Sequence, residues 1–130
     1  MKEVYDFLKA SATYYLATTD DKQPRVRPFG TILDFENKLY FQTSKLKNVY
    51  KQLIANPKIE ISATIGTQWI RVEATAVADD HLTPKEKMLE DYPSLKSMYA
   101  ANDDKTAVFY LKDAVATFYS FAGEPRVVRF

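Results

Sequence analysis

At 130 residues the chain has the length of one domain, enough to bury a core of its own, and its lack of cysteine excludes disulfides, thiolate nucleophiles, iron–sulfur clusters and zinc-thiolate sites. Eighteen basic and 17 acidic residues leave a net charge of +1, which argues against nucleic acid or a membrane as the main partner. The opening MKEVYDFLKA carries charges where a signal peptide would have an unbroken apolar run and no stretch approaches about 20 apolar residues, so a soluble, cytoplasmic protein is expected.

Val4, Phe7 and Leu8 recur at helical spacing and predict a short opening helix. TYYLATT, residues 13–19, reads as a strand, the polar run from Asp20 to Gln23 as a turn, and Arg25 to Leu33 as a second strand. A further polar turn over 34–38 leads into LYFQT, so the first three strands are expected to form an antiparallel meander. A helix is expected from about Lys45 to the stop at Asn56-Pro57. Ile59, Ile61, Ala63 and Ile65 alternate with polar residues, as do Ile70, Val72, Ala74 and Ala76 after the Gly66–Gln68 turn, which predicts two strands with one dry face each. Trp69 then shares a face with Arg71 and Glu73. Thr83-Pro84-Lys85-Glu86 fits a capping box opening a helix that is broken at Pro93 and runs toward Tyr99, and two last strands are expected over 107–111 and 115–121. Six or seven antiparallel strands with short helices at the connections, and no regular strand–helix alternation, point to a mainly β (α+β) fold built on a small barrel.

The functional signal is a local charge imbalance. Residues 22–59 hold eight bases (Lys22, Arg25, Arg27, Lys38, Lys45, Lys47, Lys51, Lys58) against two acids (Asp34, Glu36), while the remainder holds ten bases and 15 acids. The lysines crowd the start of the predicted helix, which already carries partial positive charge and unpaired N–H groups, so a bound phosphate would relieve both. Arg25 and Arg27, two apart in a strand, leave the same face and suit one oxyanion; Thr43, Ser44 and Asn48 add neutral donors and Lys47 a point charge. Singly, each residue fits a solvated edge; together they are more economically explained by a ligand. Between these parts lies Pro28-Phe29-Gly30-Thr31, where proline removes a ladder donor and glycine leaves room for a flat ring against the backbone; a simple β-bulge is the alternative. The 14% aromatic content fits ordinary strand residues, or a surplus buried in a dimer.

FLKASATYYLATTDDKQPRVRPFGTI, LYFQTSKLKNVYKQLIANPKIEI and WIRVEATAV, taken in this order and spacing, resemble the pyridoxamine 5'-phosphate oxidase-like, FMN-binding split β-barrel proteins, especially short members related to general stress proteins. The resemblance implies a six-stranded antiparallel split barrel that forms a homodimer, with FMN in grooves between the subunits. Carried over by position, it implies phosphate or ribityl contacts from Arg25 and Arg27 and a phosphate cradle of Thr43, Ser44, Lys47 and Asn48. Phe29, Gly30 and Thr31 would flank the isoalloxazine ring, with Phe41 and Gln42 nearby and Trp69 against the flavin from one subunit or the other; a barrel-closing aromatic is the alternative for Trp69. The chain departs from the vitamin B6 oxidases in having Gly30 near the position of a basic residue and in ending GEPRVVRF, so that activity itself is not expected, and Arg126 and Arg129 are expected to face water.

On this reading the flavin carries the redox chemistry, acting on a small-molecule substrate with NAD(P)H as a candidate electron donor. No catalytic acid or base stands out: His81, the lone histidine, follows Asp79-Asp80 in an expected loop, and no nucleophile motif or metal-ligand set accompanies it. The rivals are a non-catalytic flavin-binding stress or sensor protein and an oligonucleotide-binding barrel. Deazaflavin or haem can replace FMN within such families.

Overall fold

The computed structural model describes residues 1–130. In chain order it contains α1 (Lys2–Ser11), β1 (Tyr14–Asp20), β2 (Gln23–Phe29), β3 (Leu33–Phe35), β4 (Lys38–Ser44) and α2 (Asn48–Ala55). Then follow β5 (Lys58–Ile65), β6 (Gln68–Asp79), α3 (Leu82–Asp91), a 3₁₀ turn (Pro93–Ser97), β7 (Thr106–Ser120) and β8 (Arg126–Arg129). The strands form one antiparallel sheet in the order β2-β1-β5-β6-β7-β4-β3, with β8 beside β7. The two ends, β2 and β3, do not pair, and this leaves the split of a split barrel.

Alternation along the strands builds the interior. Tyr14 and Leu16 of β1, Leu39 and Phe41 of β4, Ile59 and Ile61 of β5, Ile70 and Val72 of β6 and Phe109 of β7 pack into one cluster. Val4 and Leu8 of α1 and Val49 and Leu53 of α2 join it, four residues apart in each helix as one helical face requires. A smaller cluster of Leu33, Tyr40, Met88 and Val108 lies on the other side of β4, beneath α3.

Four expectations are corrected. The strand expected from Arg25 to Leu33 is two strands, and there is no meander: β2 pairs with β1 and β3 with β4, at opposite edges of the sheet. The intervening Gly30–Ile32 crosses the split, held by side chains in place of a strand ladder. The Tyr14 hydroxyl donates to the Thr31 carbonyl at 2.5 Å, the Tyr92 hydroxyl donates to the Ile32 carbonyl and accepts from its N–H at 3.1 and 3.0 Å, and Gln42 N–H donates to Thr31 Oγ1 at 3.0 Å. The two expected last strands are one 15-residue strand, β7, because Asp113 adopts a left-handed φ of 52° and, with Ala114, forms a bulge opposite Ala74 that bends the strand without ending it. The capping box does not form: Asp79 accepts the His81 N–H at 3.1 Å, and α3 starts at Leu82 with His81 as its cap. Finally α2 begins at Asn48, because Ser44–Lys47 forms a turn in which Ser44 Oγ accepts from Leu46 N–H and the Ser44 carbonyl from Lys47 N–H.

Candidate functional site

β2 is an edge strand, as its two prolines require. Its Arg25, Arg27 and Phe29 lie in register with Thr18, Leu16 and Tyr14, the buried residues of β1, so all three point to the interior side of the sheet. The two arginines share a face as expected, but their surroundings diverge. Arg25 is exposed, and its Nε donates to Asp20 at 3.3 Å. Arg27 is half-buried beneath α2: Nη1 donates to the Leu16 carbonyl at 3.2 Å and to Thr18 Oγ1 at 2.7 Å, and Nη2 donates to Gln52 Oε1 at 2.6 Å. Burial and the neighbouring Arg25 charge pull the Arg27 guanidinium below its ordinary pKa. Every acceptor it has found is neutral, and three bonds leave two of the five N–H groups of a guanidinium free.

Arg27 meets α2 at Gln52, one turn beyond the helix start at Asn48. The first turn of the helix contains no acid, its cap position is Lys47 in extended conformation, and no side chain caps it. Lys47 and Asn48 are exposed and engaged in no side-chain hydrogen bond, whereas Lys45 turns away to Asp80 at 3.6 Å. Unpaired N–H groups, the helix dipole and Lys47 thus add positive potential to that of Arg27.

β4 forms the far wall. It pairs with β7 over Tyr40–Ser44 but with β3 only over Lys38–Tyr40, so its Phe41–Ser44 edge faces the split without a strand partner. The crossing segment closes onto this edge, with the Phe29 and Phe41 rings in edge contact at 5.4 Å. The Phe41 ring is fully buried and stacked on Phe109, so its side chain belongs to the core and only its backbone is left for a ligand. Gln42 and Thr43 are also buried, and their Nε2 and Oγ1 atoms are the chain's two buried side-chain polar atoms without a hydrogen-bond partner. Leaving such groups unpaired costs about 1–3 kcal/mol each, and they concentrate where a ligand or a rearrangement satisfies them. Gly30 is not forced by crowding: a Cβ there meets only the Ala12 carbonyl oxygen at 3.7 Å, an ordinary contact.

Arg27 and Thr43 lie on the interior face of the sheet, whereas Gln42 and Ser44, which pair with Val108 and Thr106, lie on the α3 side of β4, with Thr31 bonded to the Gln42 N–H and Lys47 and Asn48 exposed at the start of α2. Trp69 lies on the outer face of β6, in the row opposite the buried Ile70 and Val72, where it stacks on Tyr119 (5.3 Å, 9°) beside Phe121. Trp69 and Arg27 occupy opposite faces of the sheet. The larger surface hollows, about 350 and 430 Å³, lie near Asp113 and Val115 on β7, away from the split.

Thr18 and Gln52 escaped sequence reasoning. The signal for Gln52 is its place on α2 between Val49 and Leu53, a polar residue on the apolar face of a short helix. Tyr92, which pins Ile32 and receives Lys9 Nζ at 2.8 Å, carried no local sign because its partners lie 60 and 83 residues away. His81 is exposed as expected, but its ring is anchored, with Nδ1 2.7 Å from Asp79 Oδ1. Burial works against ionisation of Asp79, yet bonds from His81 and the Tyr40 hydroxyl hold its carboxyl below the usual range.

The donor set fits a phosphate-bearing ligand: a guanidinium with free N–H groups, an uncapped acid-free helix start, Lys47 and Asn48, with the orphaned Thr43 hydroxyl on the interior face of β4. The family model for pyridoxamine 5'-phosphate oxidase matches residues 1–108. A crystal structure of a NimC/NimA family protein from Clostridium acetobutylicum shares 43% identity, covers 100% of this chain and 92% of its own, and superposes with a TM-score of 0.96. General stress protein 26 from Bacillus anthracis shares the fold at 17% identity (99% and 97% covered, TM-score 0.79). So does an FAD-binding protein from Mesorhizobium loti at 18% identity (88% and 90% covered, TM-score 0.62). No curated protein matches the chain.

Proposed function

The chain belongs to the pyridoxamine 5'-phosphate oxidase family, and from that premise we propose that it binds FMN in the split between β2 and β4 and serves as a flavin-dependent oxidoreductase for a small molecule. The observation that carries this reading is the half-buried Arg27, held only by neutral acceptors beneath α2, a helix whose first turn contains no acid. A terminal phosphate supplies the missing negative charge there, and charge-assisted bonds of this kind contribute about 1.5–3 kcal/mol each.

Arg27, the α2 N–H groups, Ser44, Lys47 and Asn48 hold the phosphate, and Arg25 adds longer-range attraction tempered by Asp20. Thr31, Gln42 and the backbone of Phe29, Gly30 and Phe41 border the ring, and the crossing segment, fixed by Tyr14 and Tyr92, sets its orientation. When bound, FMN supplies the electron transfer; the protein's part is orientation, electrostatics and exclusion of water. A homodimer completes the site. The exposed outer-face aromatics, Tyr15 at 50% and Phe121 at 85%, with the Trp69–Tyr119 stack between them in kind, are apolar surface that a second copy covers, and that copy brings Trp69 to the flavin.

The test is the absorbance and mass of the small molecule released on denaturing the purified protein. A yellow protein releasing FMN in about one equivalent per chain, and oxidising NADH or NADPH, supports the whole reading; FMN without turnover supports binding alone. A colourless protein that refuses added FMN overturns it.

A further inference from the structure

We infer that Gln52, with Thr18, is the positioning residue that presents Arg27 as an uncompensated cation, and that the site's preference for a phosphate depends on residue 52 being an amide and not a carboxylate. The identity of the anion rests on the flavin reading above.

The geometry is a closed triangle. Gln52 Oε1 accepts from Arg27 Nη2 and from the Thr18 hydroxyl, both at 2.6 Å, and that hydroxyl accepts from Arg27 Nη1 at 2.7 Å. Thr18 and Gln52 are buried, at 3% and 9% exposure, so the triangle is shielded and both side chains have fixed positions. The Leu16 carbonyl adds a third acceptor. Together these contacts restrict the guanidinium to one orientation without cancelling its charge.

The other arginines show the alternative. Arg25 pairs with Asp20, Arg71 with Glu60 and Arg126 with Glu3, while Arg129 is exposed. Arg27 alone is drawn beneath a helix and given no carboxylate. A glutamate at position 52 has the shape of glutamine, offers oxygen in the same place, and would form a forked ion pair with Arg27. It would satisfy the arginine at least as well and remove the field that an incoming phosphate meets. A purely structural role for Gln52 and a role in presenting charge therefore predict different behaviour from the same substitution.

The experiment compares wild type, Gln52→Glu and Gln52→Met at neutral pH, measuring thermal midpoints and the affinities for FMN and for riboflavin, which lacks the phosphate. In Gln52→Glu the thermal midpoint is expected to stay level or rise while FMN affinity falls at least tenfold and riboflavin affinity is unchanged. In Gln52→Met, which removes the acceptor without adding charge, the midpoint falls and the FMN-to-riboflavin affinity ratio drops less than in Gln52→Glu. An unchanged FMN affinity in Gln52→Glu, an equal loss of both flavins, or a midpoint lowered by more than in Gln52→Met overturns the inference. If wild type binds neither flavin, the FMN reading fails by itself and inorganic pyrophosphate becomes the probe. Thermal protection of wild type and none of Gln52→Glu then upholds the inference; equal protection, or none in wild type, overturns it.

Discussion

Two clusters of charge flank the turn that leads into α2. On the α3 side, Lys45 and Lys85 share Asp80 at 3.6 and 3.2 Å, and Asp79 takes the Tyr40 hydroxyl at 2.8 Å and the His81 ring. On the β2 side, Arg27 has only a carbonyl, a hydroxyl and an amide, and Lys47 has no partner. Counted along the sequence, both belong to the same lysine- and arginine-rich segment or contact it. In space one cluster is internally neutralised, whereas the other keeps positive charge with no carboxylate beside it. Local basicity thus points to a neighbourhood, and the distribution of counter-charges within it singles out the part proposed as the site.

Substitutions separate the two clusters. The largest effect is expected from Arg27→Met, which should weaken FMN binding ten- to a hundredfold, about 1.4–2.8 kcal/mol, in a fluorescence-quenching titration. Arg25→Ala, whose charge Asp20 already offsets, should change affinity by less than about threefold. Equal losses in both variants would erase the distinction between the arginines. Next, Asp80→Asn deprives Lys85, only 5% exposed, of its carboxylate and should lower stability by about 1.5 kcal/mol in urea unfolding while leaving FMN affinity as in wild type. A loss of FMN there would join the two clusters into one site.

Thr43→Val sharpens the claim for the β4 wall. Replacing the orphaned hydroxyl with an isosteric methyl should stabilise the ligand-free protein by about 1 kcal/mol and reduce FMN affinity severalfold, the trade-off expected where a polar atom is kept for a ligand. Stabilisation without loss of affinity would make Thr43 a defect of the core and not part of the site. The smallest effect concerns pH. Burial favours the neutral acid at Asp103, but N–H donors from Ala100, Lys105 and Thr106 hold its carboxyl well below the ordinary carboxylate range. A depressed folded-state pKa means that its contribution is complete above the unfolded value, near 3.9, and is lost as pH falls through the folded value. The melting temperature should therefore decline below about pH 4, and Asp103→Asn should flatten that decline without altering flavin binding at neutral pH.

What the sequence disclosed follows from the range of the interactions involved. Periodicity of two and of about 3.6 is local, so α1, the alternation of β5 and β6, and the shared face of Arg25 and Arg27 are all legible in the sequence. The split was not, because the chain leaves one sheet edge at Phe29 and enters the other at Leu33, and the bonds that hold the crossing come from Tyr92, 60 residues on, and from Tyr14 and Gln42. Likewise Asp113 reads as a strand end until its bulge against β6 is seen. The family resemblance puts Phe41 near the flavin ring, and because β4 buries both of its faces no alternation in the sequence shows that this side chain turns into the core. Asp20 and Gln52, which decide the different fates of the two arginines, are informative only once the strand register and the seat of α2 are known.

The most direct test is a crystal structure of the protein with FMN. The phosphate should sit within hydrogen-bonding distance of Arg27 and the first N–H groups of α2, with the Arg27–Thr18–Gln52 triangle intact and Trp69 of a second copy approaching the ring. A phosphate bound on the outer face near β7, or FMN absent from the split while Arg27 keeps only its neutral partners, would contradict the account.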